Sequence, residues 1–307
     1  MALFGIRDAL TAWEVGTVPT GGIAAAGLIY LRAVSVLRSR GAGETLPPRS
    51  KRWPRRYLVA FMTGLLVLVI AVDGPPDVLA ERSFSLHMVQ HLLIQLVAAP
   101  LLLLGAPVGL LLRADLRWLP RRALAAVLRS PAAAVFSHPV VTFALFAVVL
   151  VGSHLTPLYD VALEREWVHG TEHLAYLLTA LLFWWPVIGV DPGPHRLPYP
   201  ARLLYLFMVM PVMAFLGIAL VSAGHLLYPY YAAHPPPWGA TPLADQRAAG
   251  TLMWIAGMFT VVPTLAVVLL RWLDQDAREQ ARREAAERAV RVPSPMPADG
   301  SPPVAQR

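Results

Sequence analysis

Long apolar runs alternate with short polar connections, many carrying arginine, along most of the 307-residue chain. A helix needs roughly 20 apolar residues to cross about 30 Å of hydrocarbon. Seven stretches meet or approach that length, at about 16–36, 57–72, 86–112, 138–153, 167–189, 202–223 and 248–272. The pattern predicts an all-α polytopic membrane bundle with seven transmembrane helices; the second and fourth stretches are short and are expected to extend by several residues. Pro100, Gly105 and Pro107 in the third run and Pro211 and Gly217 in the sixth mark expected kinks, which bilayer helices tolerate when neighbours re-satisfy the backbone. No internal repeat or linker interrupts residues 1–273, which read as one transmembrane domain. Beyond them DQDAREQARREAAERAVR, at 274–291, alternates charge signs at helical spacing and is expected to carry the last helix into the cytoplasm. The Pro-rich end of the chain, 292–307, is expected to be disordered, so 274–307 form a cytoplasmic extension.

Composition sharpens this picture. Hydrophobic residues make up 56% of the chain and charged ones only 15%, against roughly 25% charged in soluble domains. That excludes an ordinary soluble enzyme and widespread disorder. The net charge of +7 does not point to nucleic acid, because the basic residues sit between apolar runs and form no patch interleaved with aromatics. They act instead as topology signals: cytoplasmic connections are enriched in Lys and Arg. Segment 37–56 holds Arg38, Arg40, Arg49, Lys51, Arg52, Arg55 and Arg56, segment 113–137 is also Arg-rich, and so is the tail. The N-terminus is therefore expected outside and the C-terminus in the cytoplasm. The first 20 residues lack a basic region followed at once by an apolar core and do not read as a cleavable signal peptide. The absence of cysteine rules out disulfides, thiolate zinc sites and iron–sulfur clusters, leaving any soft-metal chemistry to Met and His.

On this topology His87, His91, His154, His169, His173, His225 and His234 fall at or beyond the outer ends of spans, and only His138 and His195 on the inner side. The third span opens SLHMVQH and the fifth WVHGTEH, so His87/His91 and His169/His173 repeat one i,i+4 spacing. Residues four apart share a helix face and can chelate one cation. Two such pairs at matched depth can supply four imidazoles to one site, and imidazoles inside the membrane boundary are costly and usually functional. His225 is a candidate fifth ligand; Met88, Met253, Asp73, Asp160, Glu172 and Asp245 lie at similar depth. Simpler readings compete. A lone His at a helix end is more often interfacial than a ligand. Met88, Met208, Met210, Met213 and Met258 suit core packing, and Trp118, Trp184, Trp185 and Trp272 suit an aromatic belt at the inner interface. HGTEH also matches the H-x-x-E-H pattern of inverted zinc peptidases, with Glu172 as the water-activating group, but no acidic third ligand is evident downstream. A haem held by one His from each of the two helices is a further alternative.

Several longer motifs are more specific. SLHMVQHLLIQLVAAPLLLLGAPV at 85–108, VHGTEHLAYLLTALLFWWPVIG at 168–189, LLYPYY at 226–231 and DQRAAGTLMW at 245–254 occur in one order. Over most of the membrane region the sequence resembles the CtaG-type cytochrome c oxidase assembly factors. The matching positions are His87, Met88, His91, His169, Glu172, His173, Tyr228, Pro229, Asp245, Gln246, Met253 and Trp254. The resemblance implies a multi-pass protein of the bacterial plasma membrane that aids production of active haem–copper oxidase, with oxidase subunits as partners. The expected mechanism is non-enzymatic. His87, His91, His169 and His173 hold copper near the outer surface, with His225, Met88 or Met253 as auxiliary ligands and Glu172 and Asp245 orienting the imidazoles. The metal then passes by ligand exchange to the oxidase or an outer-side copper chaperone. Imidazole suits copper, and nearby Met permits Cu(I); zinc and haem rank behind it. A copper transporter is the nearest rival, but the inner halves of the spans are almost wholly apolar.

Overall fold

The computed structural model describes residues 11–41 and 53–291. Much of the first basic connection, the first ten residues and the Pro-rich end therefore lie outside the described residues, and so do the signal-peptide and disorder expectations made for them. Among the described residues the chain is all-helical with no strand. The principal helices are α1 (Thr17–Gly41), α2 (Arg55–Asp73), α3 (Phe84–Ala114), α4 (Pro139–Leu155), α5 (Leu158–Glu164), α6 (Glu166–Ile188), α7 (Tyr199–Ser222) and α8 (Pro242–Arg291). Five helical stretches are long and apolar enough to cross a membrane: α1, α2 with its extension to Val78, α3, α7 and α8; α4 and α5, bent 73° apart, make a sixth if they count as one span. The fifth expected run coincides with α6, whose Glu166, His169, Glu172 and His173 make its first two turns polar.

The central element is α3, which packs against α2 on one side, α6 on another and the start of α8 on a third. It is not one regular helix. A π-helical turn spans Leu93–Ala98, with the Ala99 amide bonded to the Ile94 carbonyl. Pro100 has no N–H to offer the Gln95 carbonyl. The indole Nε1 of Trp184 donates to that carbonyl at 2.9 Å instead. Trp184 is thus a core residue, 1% exposed, and not part of an interfacial belt as its position beside Trp185 suggested: an orphaned buried carbonyl outweighs the indole's preference for the interface. Trp118 and Trp272 do remain exposed. A second break in α3 falls at Gly105, where Ala106 adopts the left-handed conformation (φ 50°) before Pro107 restarts the helix. The freed Gly105 carbonyl accepts from the Tyr30 hydroxyl at 2.8 Å.

In contrast, Pro211 lies within an α7 assigned as helix throughout. Gly217 serves close packing: a Cβ there would come within 2.7 Å of the Gly250 carbonyl oxygen on α8, and a Cβ on Gly250 would come equally close to the Gly217 carbonyl. Small residues that let two backbones meet are the usual means of joining helices in lipid. Continuing past the apolar region, α8 runs as helix through Arg291, its polar end carrying exposed i,i+4 pairs such as Arg278–Asp274 at 2.8 Å.

Candidate metal centre

The two His pairs meet because of how α3 and α6 begin. Ser83 precedes α3 and its hydroxyl accepts from the Leu86 amide, as helix-capping residues do. The carboxylate of Asp245, in the first turn of α8, accepts from the Ser83 hydroxyl (3.2 Å), the Ser85 amide (3.2 Å) and the Ser85 hydroxyl (2.5 Å). The start of α3 is thereby pinned to the start of α8. One and two turns later, His87 and His91 face His169 and His173 of α6.

One nitrogen from each of His87, His91, His169 and His173 lies within 4.8 Å of the others. The Nε2 atoms of His87 and His91 are 2.9 Å apart. Ring centroids are 4.1 Å apart for His169 and His173 and 4.9 Å for His87 and His169. Four nitrogens at bonds of about 2.0–2.1 Å around a tetrahedral ion stand about 3.3–3.4 Å from one another. The four imidazoles therefore need only small side-chain adjustments to share one cation. His87 and His91 are fully buried, whereas His169 is half-buried and forms the accessible side of the cluster.

Unpartnered atoms concentrate here. Nε2 of His169, Nε2 of His173, Nδ1 of His91 and both carboxylate oxygens of Glu172 are buried without a hydrogen-bond partner. A Glu172 oxygen lies 4.0 Å from His91 Nε2. Buried polar groups are nearly always satisfied, and such a concentration of exceptions calls for an unseen ion or water.

Aromatic hydroxyls close the site from the loop between α7 and α8. Tyr231 donates its hydroxyl proton to the Ala80 carbonyl at 2.9 Å and lies 3.3 Å from His87 Nδ1. Burial holds this phenol well above the usual tyrosine range, so it keeps its proton. With that proton committed to Ala80, the hydroxyl accepts from His87 Nδ1–H, which leaves His87 Nε2 as a bare lone pair facing the cluster. Gln246 holds the loop by accepting from the Leu227 amide at 2.8 Å. The ring centroid of Tyr176 stands 4.4 Å from that of His91, and Tyr159 stands 4.9 Å from His87.

Other candidates are placed differently. His225 is exposed on the loop beyond α7, and its backbone carbonyl accepts from Gln246. Met253 is buried in the apolar core. Asp245 binds serines at the start of α3 rather than an imidazole, because helix-end donors lie nearer to it. Met88 faces His154 on α4, its sulfur 3.3 Å from Nε2. His154 and the tyrosines Tyr159, Tyr176 and Tyr231 form the surroundings that sequence reasoning did not assemble. Tyr228 and its neighbours in LLYPYY were the one signal toward them.

Comparison with known proteins adds a family. Residues 28–275 match the family model described as cytochrome c oxidase caa3 assembly factor. A protein of Mycobacterium leprae is 34% identical over 285 residues, covering 89% of this chain and 41% of its own length. Proteins of Mycobacterium bovis and Mycobacterium tuberculosis are each 32% identical over 294 residues, covering 91% of this chain and 42% of theirs. The chain thus spans about two fifths of the length of these relatives. No solved structure matches.

Proposed function

The chain belongs to the cytochrome c oxidase caa3 assembly factor family, Caa3_CtaG, and from that premise we propose that it holds copper at His87, His91, His169 and His173 and hands it to the oxidase. The observation that carries this reading is the convergence of four imidazoles on one point, with buried nitrogens that no protein group satisfies. Imidazole donors suit copper, and the assembly of a haem–copper oxidase requires it. The residues act by binding and ligand exchange, so the protein is read as a carrier and not an enzyme. Glu172, with an oxygen 4.0 Å from His91 Nε2, is placed to ionise against a cation bound by the imidazoles.

In the same reading residues 1–273 form seven spans of the bacterial plasma membrane. The N-terminus is outside, and the charged end of α8 and the rest of 274–307 are in the cytoplasm. The Arg-rich connections support that orientation. The cluster then opens on the outer side, where oxidase subunits and an outer-side copper chaperone are the expected partners. Transport across the bundle is disfavoured, because the inner halves of the spans offer few polar side chains. Haem is disfavoured because Tyr159 and Tyr176 pack on His87 and His91 where a macrocycle would need space.

The test is made in cells lacking the protein, at limiting copper, by measuring oxidase activity and oxidase-bound copper. A His87→Ala/His169→Ala variant present at wild-type level is expected to leave both near the level of the deletion. Full oxidase activity with that variant would overturn the reading.

A further inference from the structure

Beside the four-imidazole cluster lies a pair of side chains that the cluster does not use. His154 ends α4 and is 3% exposed; Met88, between His87 and His91 on α3, is fully buried. His154 Nδ1 lies 2.8 Å from the Leu150 carbonyl. A carbonyl only accepts, so that contact is a hydrogen bond with the proton on Nδ1, and Nε2 is left with a lone pair. That lone pair faces the Met88 sulfur at 3.3 Å. A thioether is also an acceptor. Two acceptors buried face to face leave both lone pairs without a positive partner.

A cation resolves the conflict. Bonds of about 2.0 Å to imidazole nitrogen and about 2.3 Å to sulfur, meeting at about 100–110°, place nitrogen and sulfur about 3.3–3.5 Å apart. The observed separation of 3.3 Å fits two ligands on one ion. We infer that Met88 and His154 form a second, softer metal position adjoining the four-imidazole cluster, and that its occupant is Cu(I). This inference rests on the carrier reading above and names the oxidation state of the cargo. Thioether with imidazole selects Cu(I) over Zn(II) and Cu(II), whereas the four imidazoles beside Glu172 accept all three.

The two positions are joined through α3. Met88 and His91 are three residues apart on one helix, hence side-chain neighbours. The His91 ring centroid is 6.0 Å from that of His154, and His91 Nδ1 is buried without a partner. An ion moves between the positions by exchanging ligands, with no change of oxidation state and no bond broken other than those to the metal. Tyr176 and Ser153, both near His154 Nδ1, and the Tyr228 hydroxyl on the His154 carbonyl at 2.8 Å hold the ring in place.

The test uses the full chain purified in detergent and loaded with Cu(I) under a reductant, with X-ray absorption at the copper edge and competition against a Cu(I) chelator. Wild type is expected to show sulfur as well as nitrogen at the metal. Met88→Leu conserves volume; it is expected to lose the sulfur signal. The ratio of Cu(I) to Zn(II) affinity is expected to fall at least tenfold, no less than the loss of an outer-shell partner costs. Copper bound by nitrogen alone in wild type, with an unchanged affinity ratio in Met88→Leu, would overturn the second position and leave the carrier reading intact. Absence of copper and zinc from folded wild type would overturn both.

Discussion

His87 and His91 point their Nε2 atoms at each other across 2.9 Å, one turn apart on α3 and both out of water. Without a cation the pair is reconciled only by a proton on His91 Nε2, because Tyr231 fixes the proton of His87 on Nδ1. A metal takes the place of that proton, which moves to His91 Nδ1, the ring nitrogen that is buried without a partner. Tyr231 is a positioning residue in this account. Tyr231→Phe is expected to lower metal affinity roughly 10- to 100-fold, as loss of outer-shell partners commonly does, while helix content is unchanged. Chelator competition on the purified protein reads the effect; an unaltered affinity would remove Tyr231 from the site.

Glu172 has both oxygens buried and unpartnered, and one of them lies 4.0 Å from His91 Nε2. A carboxylate is a harder donor than a thioether and favours divalent ions. Glu172→Gln is expected to weaken Zn(II) or Cu(II) binding by about tenfold and Cu(I) binding by less, measured by the same competition. Equal losses for all three ions would show that the carboxylate acts through packing and not through its charge.

Much of the architecture could be read from hydropathy. Six of the seven expected apolar runs coincide with helices of the spanning set or with the bent pair of α4 and α5, and the remaining one is α6. The i,i+4 spacing put each His pair on one face. What the spacing lacked was lateral order. That α3 meets α6 follows from packing between residues distant in sequence, which periodicity does not encode. Trp184 was misread for the same reason: its partner is a carbonyl freed by a π turn, and neither is visible as a pattern. The contact between Met88 and His154 was not legible either, because the two residues come from different helices.

Asp245 belongs to the architecture beneath the cluster. Its carboxylate satisfies Ser83 and Ser85 at the start of α3. Asp245→Ala leaves these donors unpaired at a buried site, at a cost of about 1–3 kcal/mol, and loosens the turn that aims His87. A lower melting temperature in detergent together with weaker metal binding is the expected result, and Asp245→Asn should recover part of both. An unchanged melting temperature for Asp245→Ala would count against the pinning role.

At the opposite end of α3, Asp191 accepts from the Gly109 amide at 2.6 Å and the Val108 amide at 3.1 Å, where the helix restarts after Ala106. Burial pushes this carboxyl up from 3.8 to about 6, and the two amides oppose the rise. The folded state therefore holds the proton more tightly than the unfolded chain. The stability that this group contributes is fully present below about pH 4 and is lost as pH rises through about 6. Wild type minus Asp191→Asn melting temperatures, taken from pH 4 to 7, should fall across that window. A flat difference would show that the group titrates normally.

Metal content bears most directly on the central claim. Wild type and a His87→Ala/His91→Ala/His169→Ala/His173→Ala variant would be purified in detergent, loaded with copper, dialysed and measured by mass spectrometry, with monodispersity and helix content confirming that both are folded. Copper retained in near-stoichiometric amount by wild type and lost from the variant is the predicted result. Equal, negligible copper in the two folded proteins would contradict it.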